Sequence, residues 1–317
     1  MDQKIAYIFP GQGAQYVGMG KDFYEFNKEV KAVFNRADDV LGKGFTSLIF
    51  EGPMDKLTQT QYSQPAIYVV SFAIFTALQH RYPQVKPYVC AGLSLGEYTA
   101  LAASGKIPFE EGLELVAKRG ELMQNACEIA PGSMRVVLGM QEADIAKALF
   151  SMEKEVCIAN LNCPGQVVIA GTKEGLDKAA EALKAAGAKR VLPLEVSGAF
   201  HSFLMQSARD GLTPYLQKAH LQESNVKFVM NTPGDFVSEI SQIRSNLMAQ
   251  VTEPVYWQKG IEAMVGSGVT HFLEMGPGKT LQGMNKRIGV SLPTYSIEKL
   301  EELEKLHLEE GFANVIA

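Results

Sequence analysis

The sequence predicts an α/β protein with a parallel-sheet core and a smaller α+β subdomain set into it, and three patterns predict this. Short apolar runs end in glycine-rich loops: Ile5–Phe9 leads into Pro10-Gly11-Gln12-Gly13, and residues 87–91 lead into Gly92-Leu93-Ser94-Leu95-Gly96. Runs of that kind suit strands buried on both faces, and loops of that kind suit the rim of a crevice in a parallel sheet. Longer segments with apolar residues at spacings of three and four, such as Leu113, Val116, Ala117 and Gly120, separate the runs as helices. Between residues 131 and 197 the pattern changes to short elements in the order β-α-β-β-α-β.

From the N-terminus, strand 5–9 is followed by helices at 21–41, 66–80, 95–104 and 109–126, with a strand at 87–91. The longest apolar run, 66–78, contains serine and threonine and is too short to span a bilayer, so it reads as a buried core helix. The middle region gives strand 134–140, helix 142–151, strand 156–161, a turn at Cys163-Pro164-Gly165, strand 166–170, helix 173–186 and strand 190–196. That order is the ferredoxin-like arrangement. It is inserted as residues 131–197 and leaves 1–130 and 198–317 as the large domain. The large domain resumes with helix 203–219, strand 226–230, helices 238–250 and 256–267, and strand 270–274 before the loop Gly276-Pro277-Gly278. Segment 298–310, charged and carrying Leu300, Leu303 and Leu306, reads as a solvent-facing amphipathic helix.

Composition narrows the function classes. The chain has 317 residues, 46% hydrophobic and 21% charged, which is ordinary for a globular protein of one large domain or one large and one small. A net charge of −5 argues against nucleic acid as a main partner. Cys90, Cys127, Cys157 and Cys163 form no C-x-x-C pair and lie in apolar runs, the pattern of buried thiols in a reducing, cytoplasmic setting. Met1-Asp2-Gln3-Lys4-Ile5 lacks the charged and apolar regions of a signal peptide, and no membrane association is expected.

The chemistry concentrates at Gly92-Leu93-Ser94-Leu95-Gly96. An apolar strand before it and an alanine- and leucine-rich helix after it make this Gly-x-Ser-x-Gly a nucleophile elbow, which presents the Ser94 hydroxyl to a cleft. The helix N-terminus favours negative charge developing on a reacting carbonyl oxygen. Acyl transfer through Ser94 is therefore the first expectation. A serine needs a base, and of five histidines His201, in Ser197-Gly198-Ala199-Phe200-His201-Ser202, has small neighbours and a helix after it. His80, His220 and His307 read as solvated or capping residues, and His271, opening a strand, fits either role. Arg119 stands on a largely apolar helix. It is either a snorkelling or ion-paired side chain or a planar fork for a substrate carboxylate.

Seven motifs in order now carry a resemblance. They are Phe9-Pro10-Gly11-Gln12-Gly13-Ala14-Gln15; Gly92-Leu93-Ser94-Leu95-Gly96-Glu97; Arg119-Gly120 with Met123-Gln124; Asn160-x-Asn162-x-Pro164-Gly165-Gln166 through Gly171; Ala199-Phe200-His201; Gln250-x-x-x-Pro254-Val255-x-Trp257; and Glu274-x-Gly276-Pro277-Gly278-Lys279. Together they resemble the malonyl-CoA:acyl carrier protein transacylases over nearly the whole chain. The resemblance implies an α/β-hydrolase-like parallel-sheet core with an inserted ferredoxin-like subdomain. It also implies a malonyl group moved from malonyl-CoA to the pantetheine thiol of holo acyl carrier protein, through an ester on Ser94, for fatty-acid synthesis.

By resemblance, His201 is the base and bonds the main-chain carbonyl of Gln250, and the N–H groups of Gln12 and Leu95 form the oxyanion hole. Arg119 clamps the malonyl carboxylate, and Phe200 beside His201 is the malonyl-selecting version of the site. Asn160 and Asn162 line the cleft or form an asparagine-rich turn. No cofactor and no metal are implied. The chain departs from the family in having Leu93 where histidine usually precedes the nucleophile, and Met134-Arg135 where small residues are usual. Lys189, Arg190, Lys279, Lys286 and Arg287 are candidates for a basic docking patch. A rival from another class is a serine hydrolase using Ser94, Asp235 and His271 in that chain order; a non-catalytic acyl-binding protein is a third reading.

Overall fold

The structure, a computed structural model, describes residues 3–308 and Phe312. Strand β1 (Ile5–Phe9) is buried at every position, and its alternation sends Ile5, Tyr7 and Phe9 into one core and Ala6 and Ile8 into another. Such a strand must lie inside a sheet covered on both faces. Its parallel neighbours are β2 (Pro87–Gly92) on one side and β9 (His271–Met275) on the other.

Two further parallel strands, β7 (Lys227–Met230) beside β2 and β10 (Thr294–Ile297) beside β9, extend this sheet. The two-residue β8 (Asp235–Phe236) pairs antiparallel at its edge. The order is β10-β9-β1-β2-β7-β8, so the two central strands, β1 and β2, carry the two loops picked out in the sequence.

The second sheet is wholly antiparallel. It comprises β3 (Ser133–Leu138), β4 (Val156–Cys163), β5 (Gln166–Gly171) and β6 (Arg190–Pro193), in the order β4-β5-β3-β6. Helices Glu142–Leu149 and Lys173–Ala185 close a separate small core around Val137, Ile145, Ile169 and Leu183. Strand β4 is tied to the segment before helix Trp257–Gly266, where Leu161 N donates to Val255 O and Val255 N donates to Ala159 O, each at 2.9 Å. This tie brings β4 to the rim of the large sheet.

Several elements depart from the sequence expectation. Helix 21–41 is two helices, Lys21–Tyr24 and Lys28–Leu41, because the Asn27 side chain caps Val30 N and starts a new helix. The core helix begins at Thr60, not at 66, and runs to Arg81 with Pro65 inside it. Pro65 is the sixth residue of this helix and has no N–H to give the Gln61 carbonyl, so the helix runs through it with one backbone bond fewer.

Helices Phe45–Glu51, Met54–Thr58 and Thr280–Ile288, and strand β10, were not anticipated. The C-terminal helix Leu300–Lys305 buries Leu303, and the turn after it buries Leu306, so one face of this segment packs on the core instead of facing solvent. Positions 309 and 310 of the predicted segment lie outside the described residues. Among the described residues no helix is long and apolar enough to cross a membrane.

The elbow between β2 and helix Gly96–Ala103 depends on two close approaches. A Cβ on Gly92 would meet Gly96 C at 1.9 Å, and one on Gly96 would meet Phe9 O at 2.2 Å and Pro10 O at 2.8 Å. These obstacles are backbone and cannot swing away. Gly96→Ala is expected to destabilise the fold by about 3 kcal/mol or more, read as a lower urea midpoint. An unchanged midpoint would show that the loop after β1 is not fixed against the elbow.

Candidate active site

Ser94 sits at the end of β2 with φ 52°, in the left-handed region that a non-glycine residue occupies only when its surroundings hold it there. Its N–H donates to Asn231 Oδ1 at 2.6 Å, and its carbonyl accepts from Gln250 Nε2 at 2.9 Å. Asn231 is held in turn by donating Nδ2–H to Gly92 O at 2.7 Å. The strained serine is thus fixed through both its peptide groups. Leu95, its side chain fully buried, can present only its backbone at the start of the following helix.

His201 also has positive φ, at 56°. Its Nδ1–H donates to Gln250 O at 2.6 Å, which leaves Nε2 to accept the Ser94 hydroxyl at 2.7 Å. Burial and the nearby Arg119 charge lower its pKa to about 4, so the imidazole is neutral and basic near pH 7. Main-chain carbonyl, imidazole and hydroxyl therefore form a line with no carboxylate at its end.

The rival triad is not assembled. His271 Nδ1 lies 3.0 Å from Thr270 Oγ1 and its ring stacks on Tyr295, while Asp235 is exposed in β8. His220 pairs with Glu111 at 3.1 Å and His307 bonds Glu304 O at 2.8 Å, as expected of surface histidines.

Arg119, on helix Phe109–Ile129, is 1% exposed. Its Nη1 donates to Gln64 Oε1 at 2.5 Å, and its Nη2 to Gln250 Oε1 at 2.9 Å and Ser94 Oγ at 3.3 Å. Nε–H has no hydrogen-bond partner. Burial lowers the pKa of the guanidinium while Tyr98 and Glu97 raise it. The snorkelling reading is excluded: this is a buried cation with a free donor, beside a nucleophile.

These groups open onto a cavity of about 550 Å³. Gln12, Ser94, Arg119, Phe200 and His201 line it from the loops and helices around the large sheet, and Asn160, Asn162 and Val168 line it from the small sheet. Both asparagines belong to β4, so the turn reading is excluded for them. Leu93, Met134 and Met284 add an apolar part to the wall. Gln250 lies behind the cavity and reaches it only through its partners. Of the candidate docking cations, Lys279 is paired with Glu302.

Sequence reasoning missed Gln64, Asn231 and Glu97. Gln64 was hidden because it lies just outside the predicted helix 66–80 and its partner Arg119 is 55 positions away. Asn231, the first residue after β7, carried one usable signal: a polar side chain at the C-terminal end of a parallel strand. Glu97 carried another, as an acidic residue on an otherwise apolar helix that is buried throughout.

Residues 6–297 match the acyl transferase domain family. The malonyl CoA-acyl carrier protein transacylase of Bacillus subtilis is 40% identical over 304 residues, covering 95% of this chain and 95% of the relative. That of Haemophilus influenzae is 39% identical over 297 residues, covering 93% of this chain and 95% of the relative. The crystal structure of the Clostridium perfringens malonyl CoA-acyl carrier protein transacylase superposes with a TM-score of 0.90 at 41% identity, covering 95% of each chain. A malonyl-transacylase in complex with its type II polyketide synthase acyl-carrier protein superposes with a TM-score of 0.91 at 37% identity, covering 96% of this chain and 98% of the other.

The lowered histidine pKa gives a pH prediction. His201 loses its basic form only as pH falls through about 4, so Ser94 labelling by a fluorophosphonate is expected to change less than about twofold between pH 7 and 5.5 on account of the base. A midpoint near 6.5 would show an unperturbed histidine and contradict the buried dyad.

Proposed function

The chain belongs to the acyl transferase domain family, among the malonyl-CoA–acyl carrier protein transacylases, and from that premise we propose how its residues divide the work. It transfers malonyl from malonyl-CoA to acyl carrier protein, supplying fatty-acid synthesis. Ser94 Oγ attacks the thioester carbonyl carbon while His201 Nε2 takes the hydroxyl proton. The negative charge on the carbonyl oxygen is met by the N–H groups of Gln12 and Leu95. Collapse breaks the carbon–sulfur bond, His201 returns the proton to the leaving CoA sulfur, and a malonyl ester remains on Ser94. The pantetheine thiol of holo acyl carrier protein then repeats the steps in reverse.

Thioester, ester and thioester are close in free energy, so the exchange calls on no cofactor or metal. The Gln250 carbonyl orients His201 and offsets the positive charge it acquires. A neutral carbonyl suffices because the imidazolium is transient.

The observation that carries this reading is the Arg119 guanidinium 3.3 Å from Ser94 Oγ in a buried cleft. A fixed cation beside the nucleophile favours an acyl group with its own carboxylate, and the planar fork can bind that carboxylate through two parallel hydrogen bonds. Phe200 lines the cleft beside His201, and we read its bulk as disfavouring branching at the malonyl methylene. Asn160 and Asn162 face the cleft from residues 131–197, which we read as a ferredoxin-like subdomain bearing one wall of the substrate channel. The large sheet we read as α/β-hydrolase-like, supported by the left-handed serine between β2 and its helix. Four free cysteines suit a reducing, cytoplasmic setting.

Arg119→Ala is expected to lower kcat/KM for malonyl-CoA by about a hundredfold, the scale of losing two charge-assisted bonds. Turnover of acetyl-CoA should hold or rise, and more malonate should be released to water. Parallel losses with both thioesters in steady-state assays would sink the clamp.

A further inference from the structure

Beneath Ser94 and His201 lies a second layer of buried polar groups. Glu97, on helix Gly96–Ala103, is fully buried. One of its carboxylate oxygens accepts Asn231 N–H at 2.6 Å, and the other accepts Gln250 Nε2–H at 2.7 Å. The same Nε2 donates to Ser94 O at 2.9 Å and lies 3.3 Å from Asn231 Oδ1. Three acceptors therefore converge on one end of the Gln250 amide, and its nitrogen must face them. Its oxygen is forced to the other side, where it accepts from Arg119 Nη2 at 2.9 Å.

An amide offers one donor end and one acceptor end, so its neighbours decide which way it points. Of the three acceptors only Glu97 can carry a charge, and a bond to its ionised form is roughly twice as strong as a neutral one.

We infer that Glu97 is a positioning residue for acyl selectivity: by fixing the polarity of the Gln250 amide it holds the Arg119 guanidinium beside Ser94, aimed at the acyl carboxylate. The inference rests on the reading of Arg119 as the carboxylate clamp. Both oxygens of Glu97 accept N–H groups, the arrangement of a carboxylate and not of an acid. Burial pushes its pKa up to about 8, against the Asn231 N–H, the Arg119 charge and the Gln250 amide, which all favour the ionised form. Among the described residues no carboxylate forms a direct ion pair with Arg119, and the Glu97 carboxyl group reaches it across a single amide. The backbone of Gln250 serves His201 while its side chain serves Arg119, which places base and clamp on one residue.

The test is Glu97→Gln, which keeps size but replaces one acceptor with an NH2 group. The one remaining oxygen can serve only one of the two donors: with its NH2 toward Gln250, two NH2 groups meet or the Gln250 amide turns its own NH2 to Arg119, and with its NH2 toward Asn231 it faces the backbone N–H that Glu97 held. The ratio of kcat/KM for malonyl-CoA over acetyl-CoA is expected to fall about tenfold or more, mainly through the malonyl-CoA KM. Gln250→Met, which keeps the carbonyl for His201, should lower the ratio similarly, and the double variant should be no worse than either single one.

A ratio at the wild-type value, a parallel loss with both thioesters, or independent effects that multiply would each overturn the inference. If Glu97→Gln does not fold, Glu97→Asp, which keeps the carboxyl but shortens its reach to the Gln250 amide, takes its place: a lost ratio supports the inference and a retained ratio overturns it. Arg119→Ala in the same assay separates the two readings. An unchanged ratio there removes the clamp itself, whereas a collapse there with Glu97→Gln and Gln250→Met unaffected removes only the role of Glu97.

Discussion

A guanidinium buried in a protein interior must be hydrogen-bonded and electrically balanced, or its desolvation costs several kcal/mol. Arg119 imposes this demand, and much of the site's polar architecture meets it. Gln64 comes from the long core helix, Gln250 from the segment after helix Ile240–Ala249, and the Tyr98 ring stands 5.6 Å from the guanidinium carbon. Glu97 lies at one remove, bonded to the same Gln250 amide. Elements far apart in the chain are thereby tied to one point, which is also where the nucleophile emerges. Its Nη2 lies 3.3 Å from Ser94 Oγ, so a carboxylate carried by the acyl group meets a cation already held in place.

Backbone strain is the second organising feature. The two non-glycine residues with positive φ among the described residues are Ser94 and His201, and they are 2.7 Å apart at their reacting atoms. Conformations of this kind cost of order 1–3 kcal/mol each and persist where the surroundings over-determine them. Here Asn231 and Gln250 hold the serine, while Gln250 and the packing of Ala199 and Phe200 hold the histidine. Stability is spent on alignment, and the base stays neutral and ready because it is buried beside a cation.

The features legible in the sequence were those with a local physical cause. Gly92 and Gly96 betray the elbow because the turn admits no Cβ, and β1 betrays itself because a strand covered on both faces must be apolar throughout. His201 stood out by its small neighbours. Arg119 could not be decided from its helix alone, since the same pattern fits a snorkelling side chain. Glu97, Asn231 and Gln64 escaped because their partners are distant in sequence: Asn231 meets Glu97 across 134 positions, and no periodicity records such a pairing. Helix Thr280–Ile288 and strand β10 were missed near the C-terminal end, where a short partly polar helix and a half-exposed edge strand give weak patterns.

The most direct test of the account is the intact-protein mass after brief exposure to malonyl-CoA and then to holo acyl carrier protein, for the wild type and Ser94→Ala. The account predicts a malonyl-sized gain on the wild type alone, discharged onto the carrier protein's thiol. No gain, a gain that persists in Ser94→Ala, or a gain lost only to water would contradict it.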